Sequence, residues 1–245
     1  MIITDYKKRR DRPGDLFNRV NMQVKICGIT RVDQAIAIAH AGATALGFIC
    51  VRKSPRYIEP GAIAAITAQI HAQFDASIET VGVFANAELS TLEATAAQAN
   101  LSGIQLHGSE SPAFCQQVKV HSPGKRIIKA LRIRDSADLD QVQTYAAVVD
   151  ALLLDAYHPQ MLGGTGQTLD WDSLESFRPG CPWLLAGGLN PDNIAVALTR
   201  LAPDGIDLSS GLEVSPGIKD LQRVEQLFRV LKGCNRQNLA DVQTC

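Results

Sequence analysis

The sequence predicts an α/β chain folded as a single (β/α)8 TIM barrel with a parallel eight-stranded core. Three observations carry this. Eight short runs rich in Val, Ile, Leu and Phe recur along the chain, most intervals between them hold one helix plus two turns, and the repeats fill about 210 residues. Such intervals suit the right-handed crossovers that join parallel strands. An open doubly wound sheet is the alternative, but it normally has fewer strands.

The predicted strands are 24–27, 45–49, 80–84, 103–107, 126–131, 148–155, 183–186 and 205–208. Several helices between them have readable ends. Thr30 with Asp33 resembles a capping box ahead of Ala35, Ile36 and Ala39, and Gly42 stands where that helix should stop. Asn190 before Pro191 reads as a cap residue and a first-turn proline, followed by the apolar stripe Ile194, Ala197, Leu198 and Leu201. Leu221, Val224, Leu227, Phe228 and Leu231 form a last helix that closes the fold before Gly233. The barrel domain is therefore placed at 23–233, with a polar, poorly ordered N-terminal extension at 1–22 and a polar C-terminal tail at 234–245. Met22 is a candidate start.

Composition narrows the function classes. With 24 basic and 25 acidic side chains the net charge is −1, which argues against a nucleic-acid footprint or a polybasic membrane surface. Residues 34–51 carry no Lys, Arg, Asp or Glu, yet alanines, two glycines and His40 make them a helix, a glycine stop and a strand, not a membrane span. The six cysteines show no C-x-x-C pair and no zinc-ligand spacing, so neither a disulfide framework nor a metal site is expected. The basic N-terminus lacks the apolar region of a secretory signal, and a reducing cytoplasm is the expected location.

A barrel of this kind carries its chemistry at the C-terminal ends of its strands. Three glycine-rich loops fall there: Gly163-Gly164-Thr165-Gly166, Gly187-Gly188-Leu189-Asn190 and Ser209-Ser210-Gly211. None matches a P-loop or dinucleotide fingerprint, but backbone N–H groups in such loops can approach an anion closely, and the helix opened by Asn190 points its positive end toward the strand ends. Phosphate binding is one reading, and ordinary βα turns are the other.

Cys27 ends strand one, with Lys25 on the same inward face, and a neighbouring cation favours a thiolate. Cys50, Cys115 and Cys181 read as inert buried thiols. Asp155 ends Leu152-Leu153-Leu154; a carboxyl group beside so much hydrocarbon suits a general acid, and a helix cap or loop hydrogen bond is the equal alternative. Asp207 lies beside the last glycine loop and is assigned to hydroxyl or loop positioning. Arg56 can grip a planar carboxylate at two points, whereas Arg52 and Lys53 read as solvated loop cations. Gln105 and His107 share one face of strand four, and His107 by itself reads as a structural histidine.

Taken together, these motifs are similar to those of the phosphoribosylanthranilate isomerase family. The resemblance rests on Lys25-Ile26-Cys27-Gly28-Ile29-Thr30, Ser54-Pro55-Arg56-Tyr57-Ile58, Val81-Gly82-Val83-Phe84, Gln105-Leu106-His107-Gly108, Leu153-Leu154-Asp155, Leu185-Ala186-Gly187-Gly188-Leu189-Asn190-Pro191 and Ile206-Asp207-Leu208-Ser209-Ser210-Gly211-Leu212-Glu213, which run in order across the barrel. It implies an Amadori rearrangement of N-(5-phosphoribosyl)anthranilate in tryptophan biosynthesis, with no metal or organic cofactor, by a monomer or homodimer. Asp155 would act as acid and Cys27 as base, Arg56 would hold the anthranilate carboxylate, Gly187, Gly188, Ser209, Ser210 and Gly211 the phosphate, and Asp207 the sugar hydroxyls. Gly164 and His107 complete the expected substrate-binding set. Two rivals remain at this stage: the related sugar isomerase of histidine biosynthesis, which has an aspartate where Cys27 stands, and a silent barrel that only binds phosphorylated ligands.

Overall fold

The computed structural model describes residues 22–74, 77–133, 142–156, 171, 174–175 and 177–242. Its core is a closed barrel of eight parallel strands in chain order, β1 (Gln23–Cys27), β2 (Ala45–Ile49), β3 (Glu79–Phe84), β4 (Gly103–Leu106), β5 (Arg126–Ile133), β6 (Ala151–Ala156), β7 (Trp183–Leu185) and β8 (Gly205–Leu208), with β1 pairing β8 to close the ring. Among the described residues seven α-helices accompany it: α1 (Val32–Ala41), α2 (Pro60–Phe74), α3 (Leu89–Gln98), α4 (Pro112–His121), α5 (Val142–Ala146), α6 (Ile194–Arg200) and α7 (Leu221–Val242).

Strand alternation divides the apolar residues into two separate clusters. Outward residues such as Ile26, Leu46, Phe48, Leu152, Leu154 and Trp183 pack under the helices, while Val81, Ile128, Ala130, Ala151, Leu153, Leu184 and Ala186 form a distinct cluster. That second set is the inward face, and it fills the barrel as a packed interior. The same period turns Lys25 and Cys27 inward between outward Val24 and Ile26, and Asp155 inward after Leu153.

Helix ends follow local chemistry, with corrections to the sequence reading. α1 stops at Gly42, whose φ of 124° suits a residue without a Cβ. At its start the expected capping box is not formed. Arg31 is the N-cap with no side-chain cap bond, Asp33 pairs with Arg31, and the Thr30 hydroxyl donates to the Gly217 carbonyl instead. A distant hairpin has taken the hydroxyl. The Asn190 side chain does accept from the N–H groups of Asp192 and Asn193, but regular helix begins only at Ile194. α7 does not end at Gly233; it runs on to Val242. Residues 1–21 and the loop with Gly163–Gly166 lie outside the described residues.

One element was not expected. After β8 a 3-10 turn (Ser210–Leu212) leads into a small antiparallel hairpin of β9 (Glu213–Ser215) and β10 (Ile218–Lys219). Gln34 of α1 clamps the hairpin by exchanging two hydrogen bonds with the Lys219 backbone, at 2.8 and 3.0 Å. This ties the loop after β8 to the start of the barrel.

Candidate active site

A cavity of about 310 Å³ opens at the C-terminal ends of the strands. Cys27, Arg56, His107, Asp155 and Asp207 line it, as do Gly187, Gly188, Ser209 and Ser210. Residues read separately along the chain thus meet around one cavity. Gly211 does not line it: a Cβ there would stand 2.1 Å from the Leu189 carbonyl, so the loops after β7 and β8 touch through a glycine that no larger residue could replace without a shift. Gly164 falls outside the described residues.

Strand register sets the first charged group. β1 pairs with β8 so that Lys25 lies opposite Asp207, and the buried Nζ reaches Oδ1 at 2.9 Å. Burial alone would lower the Lys25 ammonium, but Asp207 and Cys27 outweigh it and hold it above its ordinary value. Burial pushes the Asp207 carboxyl up, offset in part by Lys25. Cys27 sits one turn of the pleat above, against β2. A Cβ on Gly47 would lie 2.6 Å from Sγ and 3.0 Å from the Lys25 Nζ, so this glycine makes the room that thiol and ammonium share.

The thiol's balance differs from the sequence expectation. Burial pushes Cys27 up; Lys25 and Lys219 pull it down, Asp207 adds to the rise, and burial prevails. The neighbouring cation is present but does not by itself yield a standing thiolate. Cys27, Cys50, Cys115 and Cys234 are free thiols. Cys115 and Cys181 are buried in the outer core, and burial raises Cys50 to about 12, as expected of inert thiols.

Asp155 arrives from β6 on the other side of the opening. It is buried, and its Oδ2 lies 3.3 Å from His107 Nε2. His107 is therefore more than an isolated structural histidine: its other ring nitrogen contacts Gln105 Nε2 at 3.0 Å.

Arg56 follows β2 and is buried, with its Nε and Nη2 edge held in two-point fashion by Glu213 at 2.7 to 3.0 Å. Lys219 Nζ meets Glu213 Oε1 at 2.8 Å and the Ser209 carbonyl at 3.2 Å. Burial raises the Glu213 carboxyl, but the Arg56 fork and Lys219 overcome this and hold it below the usual range. Glu213 and Lys219 are the site-supporting residues that the sequence reading missed. The dipeptide Pro216-Gly217, a turn signal, was the available clue to their hairpin. Lys53, read as solvated, also lines the cavity, whereas Arg52 is exposed and pairs with Glu59.

The remaining walls are of two kinds. Ile49 and Val83, at the ends of β2 and β3, with Val51 and Ala85 just after them, give an apolar face on the Arg56 side. Opposite, Gly187 and Gly188 adopt φ of 84° and 65°, conformations that expose backbone N–H groups at little steric cost. Among the described residues no group of three or more His, Cys, Asp or Glu is arranged to hold a metal ion, and no helix is long and apolar enough to cross a membrane.

Comparison with known proteins then decides the lineage. The family model for N-(5'-phosphoribosyl)anthranilate (PRA) isomerase matches residues 24–230, which contain every strand of the barrel after the first residue of β1. The chain belongs to the PRA isomerase family. The N-(5'-phosphoribosyl)anthranilate isomerase of Acaryochloris marina is 55% identical over 210 residues, covering 85% of this chain and 97% of that protein. That of Trichormus variabilis is 54% identical over 214 residues, covering 87% and 100%. Among solved structures, the phosphoribosyl anthranilate isomerase of Thermotoga maritima superposes with a TM-score of 0.78 at 32% identity, covering 86% of this chain and 99% of that one. A further family structure, in complex with reduced 1-(o-carboxyphenylamino)-1-deoxyribulose 5-phosphate, has a TM-score of 0.72 at 30% identity, covering 86% and 99%. The eight-stranded barrel is the family fold, and the chain is an isomerase of this family.

Proposed function

We propose that this enzyme converts N-(5-phosphoribosyl)anthranilate, an aminoaldose, into 1-(2-carboxyphenylamino)-1-deoxyribulose 5-phosphate by an Amadori rearrangement in tryptophan biosynthesis. The observation that supports it most directly is the layout of one cavity. A thiol and a carboxyl group flank its middle, an apolar face beside a guanidinium lies to one side, and glycine and serine loops lie to the other. An aromatic carboxylate, a sugar and a phosphate present those needs in that order.

In this reading Asp155 donates its proton to the furanose ring oxygen; the C1–O bond breaks and the anthranilate nitrogen's lone pair forms the C1=N iminium. Cys27, as thiolate, then takes the C2 proton, and the C2–H electrons flow toward nitrogen to give the enolamine, which tautomerises to the ketone. Iminium formation acidifies C2, so a modest base is sufficient. Burial of Cys27 limits its thiolate fraction, while Lys25 and Lys219 keep that fraction from falling further.

Arg56 binds the anthranilate carboxylate through the part of its fork that Glu213 does not engage, and the apolar face covers the ring. Backbone N–H groups at Gly187 and Gly188, with Ser209 and Ser210, hold the phosphate, with Gly211 setting the approach of the two loops. Asp207 receives sugar hydroxyls. The enzyme works in the cytoplasm as a monomer or homodimer, without an organic cofactor or metal.

A turnover assay with the anthranilate and histidine-pathway phosphoribosyl amines side by side tests this. Loss of anthranilate fluorescence with the first and no reaction with the second is expected. The reverse preference, or turnover of neither, overturns the proposal.

A further inference from the structure

His107 sits between two partners that it can serve only in one protonation pattern. Its backbone is pinned on both sides: the N–H donates to the Phe84 carbonyl at 2.7 Å, and its carbonyl accepts from Arg132 Nη2 at 3.0 Å. The ring lies with Nδ1 3.0 Å from the Gln105 amide nitrogen and Nε2 3.3 Å from Asp155 Oδ2. Gln105 is itself fully inward on β4, paired in register with Val83 and Ile128 and 1% exposed. Its amide oxygen and the His107 Nε2 are both buried with no hydrogen-bond partner among the described residues. An orphaned buried acceptor costs free energy, and a glutamine kept only for packing would have it satisfied or be replaced by an apolar residue.

We propose that Gln105 is a positioning residue that holds His107 as the Nε2–H tautomer, and that His107 thereby assigns the two oxygens of Asp155 different jobs. A neutral imidazole has one donor and one acceptor nitrogen. When the Gln105 N–H donates to Nδ1, the ring proton must be on Nε2, which stands 3.3 Å from Oδ2 without a formed hydrogen bond; that contact closes into one when substrate is bound. The transferable proton of the Asp155 acid is then confined to Oδ1. After that O–H bond breaks and the proton passes to the ring oxygen of the sugar, the same Nε2–H stabilises the carboxylate left behind. The opposite tautomer would place a lone pair at Oδ2 and draw the acidic proton away from the substrate. The inference rests on Asp155 being the general acid.

Nitrogen-15 NMR of the enzyme labelled at histidine reads the tautomer without any assay. A protonated Nε2 and bare Nδ1 on His107 are expected, and a protonated Nδ1 in the wild type overturns the proposal. Gln105→Glu supplies an acceptor to Nδ1 in place of a donor; it should protonate Nδ1 and lower kcat about tenfold with KM nearly unchanged. Gln105→Met, which removes the donor with no new charge, should give a smaller loss in the same direction. His107→Gln can present an amide N–H near the Nε2 position and should retain most of kcat, whereas His107→Leu should not. Equal activity for His107→Gln and His107→Leu, or an unchanged kcat in folded Gln105→Glu, would refute the positioning role. Failure of the underlying assignment has a different signature: Asp155→Asn would keep its turnover while the NMR tautomer stayed as stated.

Discussion

Both ends of the barrel point polar side chains inward, and they differ in whether those groups satisfy one another. At the N-terminal end Gln23, Glu79 and Arg126, from β1, β3 and β5, form a closed set: Gln23 donates to Glu79, and Arg126 donates to Gln23 Oε1 at 2.7 Å and to Glu79 Oε2 at 3.0 Å. No buried side-chain atom of that set lacks a partner among the described residues. At the C-terminal end Gln105 Oε1 and His107 Nε2 lack one, a thiol is buried beside an ammonium, and Arg56 leaves part of its fork beyond Glu213. An interior polar layer that completes itself is architecture. One left incomplete has been built for a molecule that arrives later.

The sharpest way to break this comparison is to alter the two groups that flank the open end. Cys27→Ala and Asp155→Asn should each lower kcat/KM by roughly 10²- to 10⁴-fold, the scale of a lost general base or acid, while thermal unfolding moves little. Near-native turnover in both variants would remove the catalytic contrast between the two ends. A smaller change follows from Arg56→Lys, which keeps the charge but loses the planar fork: KM should rise about tenfold and kcat should fall less, in steady-state kinetics.

The thiol allows the contrast to be read by pH. Because burial holds Cys27 above its ordinary value, its alkylation by iodoacetamide should rise with pH on the alkaline side of a free cysteine. In the double variant Lys25→Met/Asp207→Asn the loss of the cation outweighs the loss of the anion, so the midpoint should move further up. A midpoint that moves down would mean that Asp207, not Lys25, dominates the thiol. Glu213 gives the corresponding test in stability. Its carboxyl is held below the usual range in the folded state, so its contribution is complete above the unfolded value near 4.3 and is lost as pH falls through the folded value. Glu213→Gln should flatten the acid limb of urea-derived stability and lower the neutral plateau by about 2 kcal/mol, since Arg56 and Lys219 lose their shared anion.

The two ends were unequally legible in the sequence. Strands were readable because buried parallel strands are short apolar runs, and the inward placement of Lys25, Cys27 and Asp155 follows from a two-residue period alone. Only the edges slipped: Val148 and Val149 look like strand, yet both donate their N–H groups to the Tyr145 carbonyl in a turn, and β6 starts at Ala151. The partnerships were not readable. Arg56 and Glu213 stand 157 residues apart, joined by a hairpin whose two strands have three and two residues, too short for any periodic signal. The same hairpin took the Thr30 hydroxyl from its expected cap. Gln105 was noted only as sharing a face with His107, because nothing local says that the next strand but one will bring a carboxyl group to the far ring nitrogen.

The smallest expected effect belongs to the closed end. Arg126 is partly exposed, and its partners Gln23 and Glu79 retain each other when it is removed. Arg126→Met should therefore cost about 1 kcal/mol, the value of a part-exposed charge-assisted contact, and shift thermal unfolding by roughly 2–4 °C in a domain of this size. Its kcat/KM should stay within twofold of the wild type, because the apolar band of Val81, Ile128 and Leu153 separates the layer from the cavity. A tenfold loss of kcat with unfolding unchanged would mean that the lower layer communicates with the mouth through that band, and the division between a self-completing end and a waiting end would have to be abandoned.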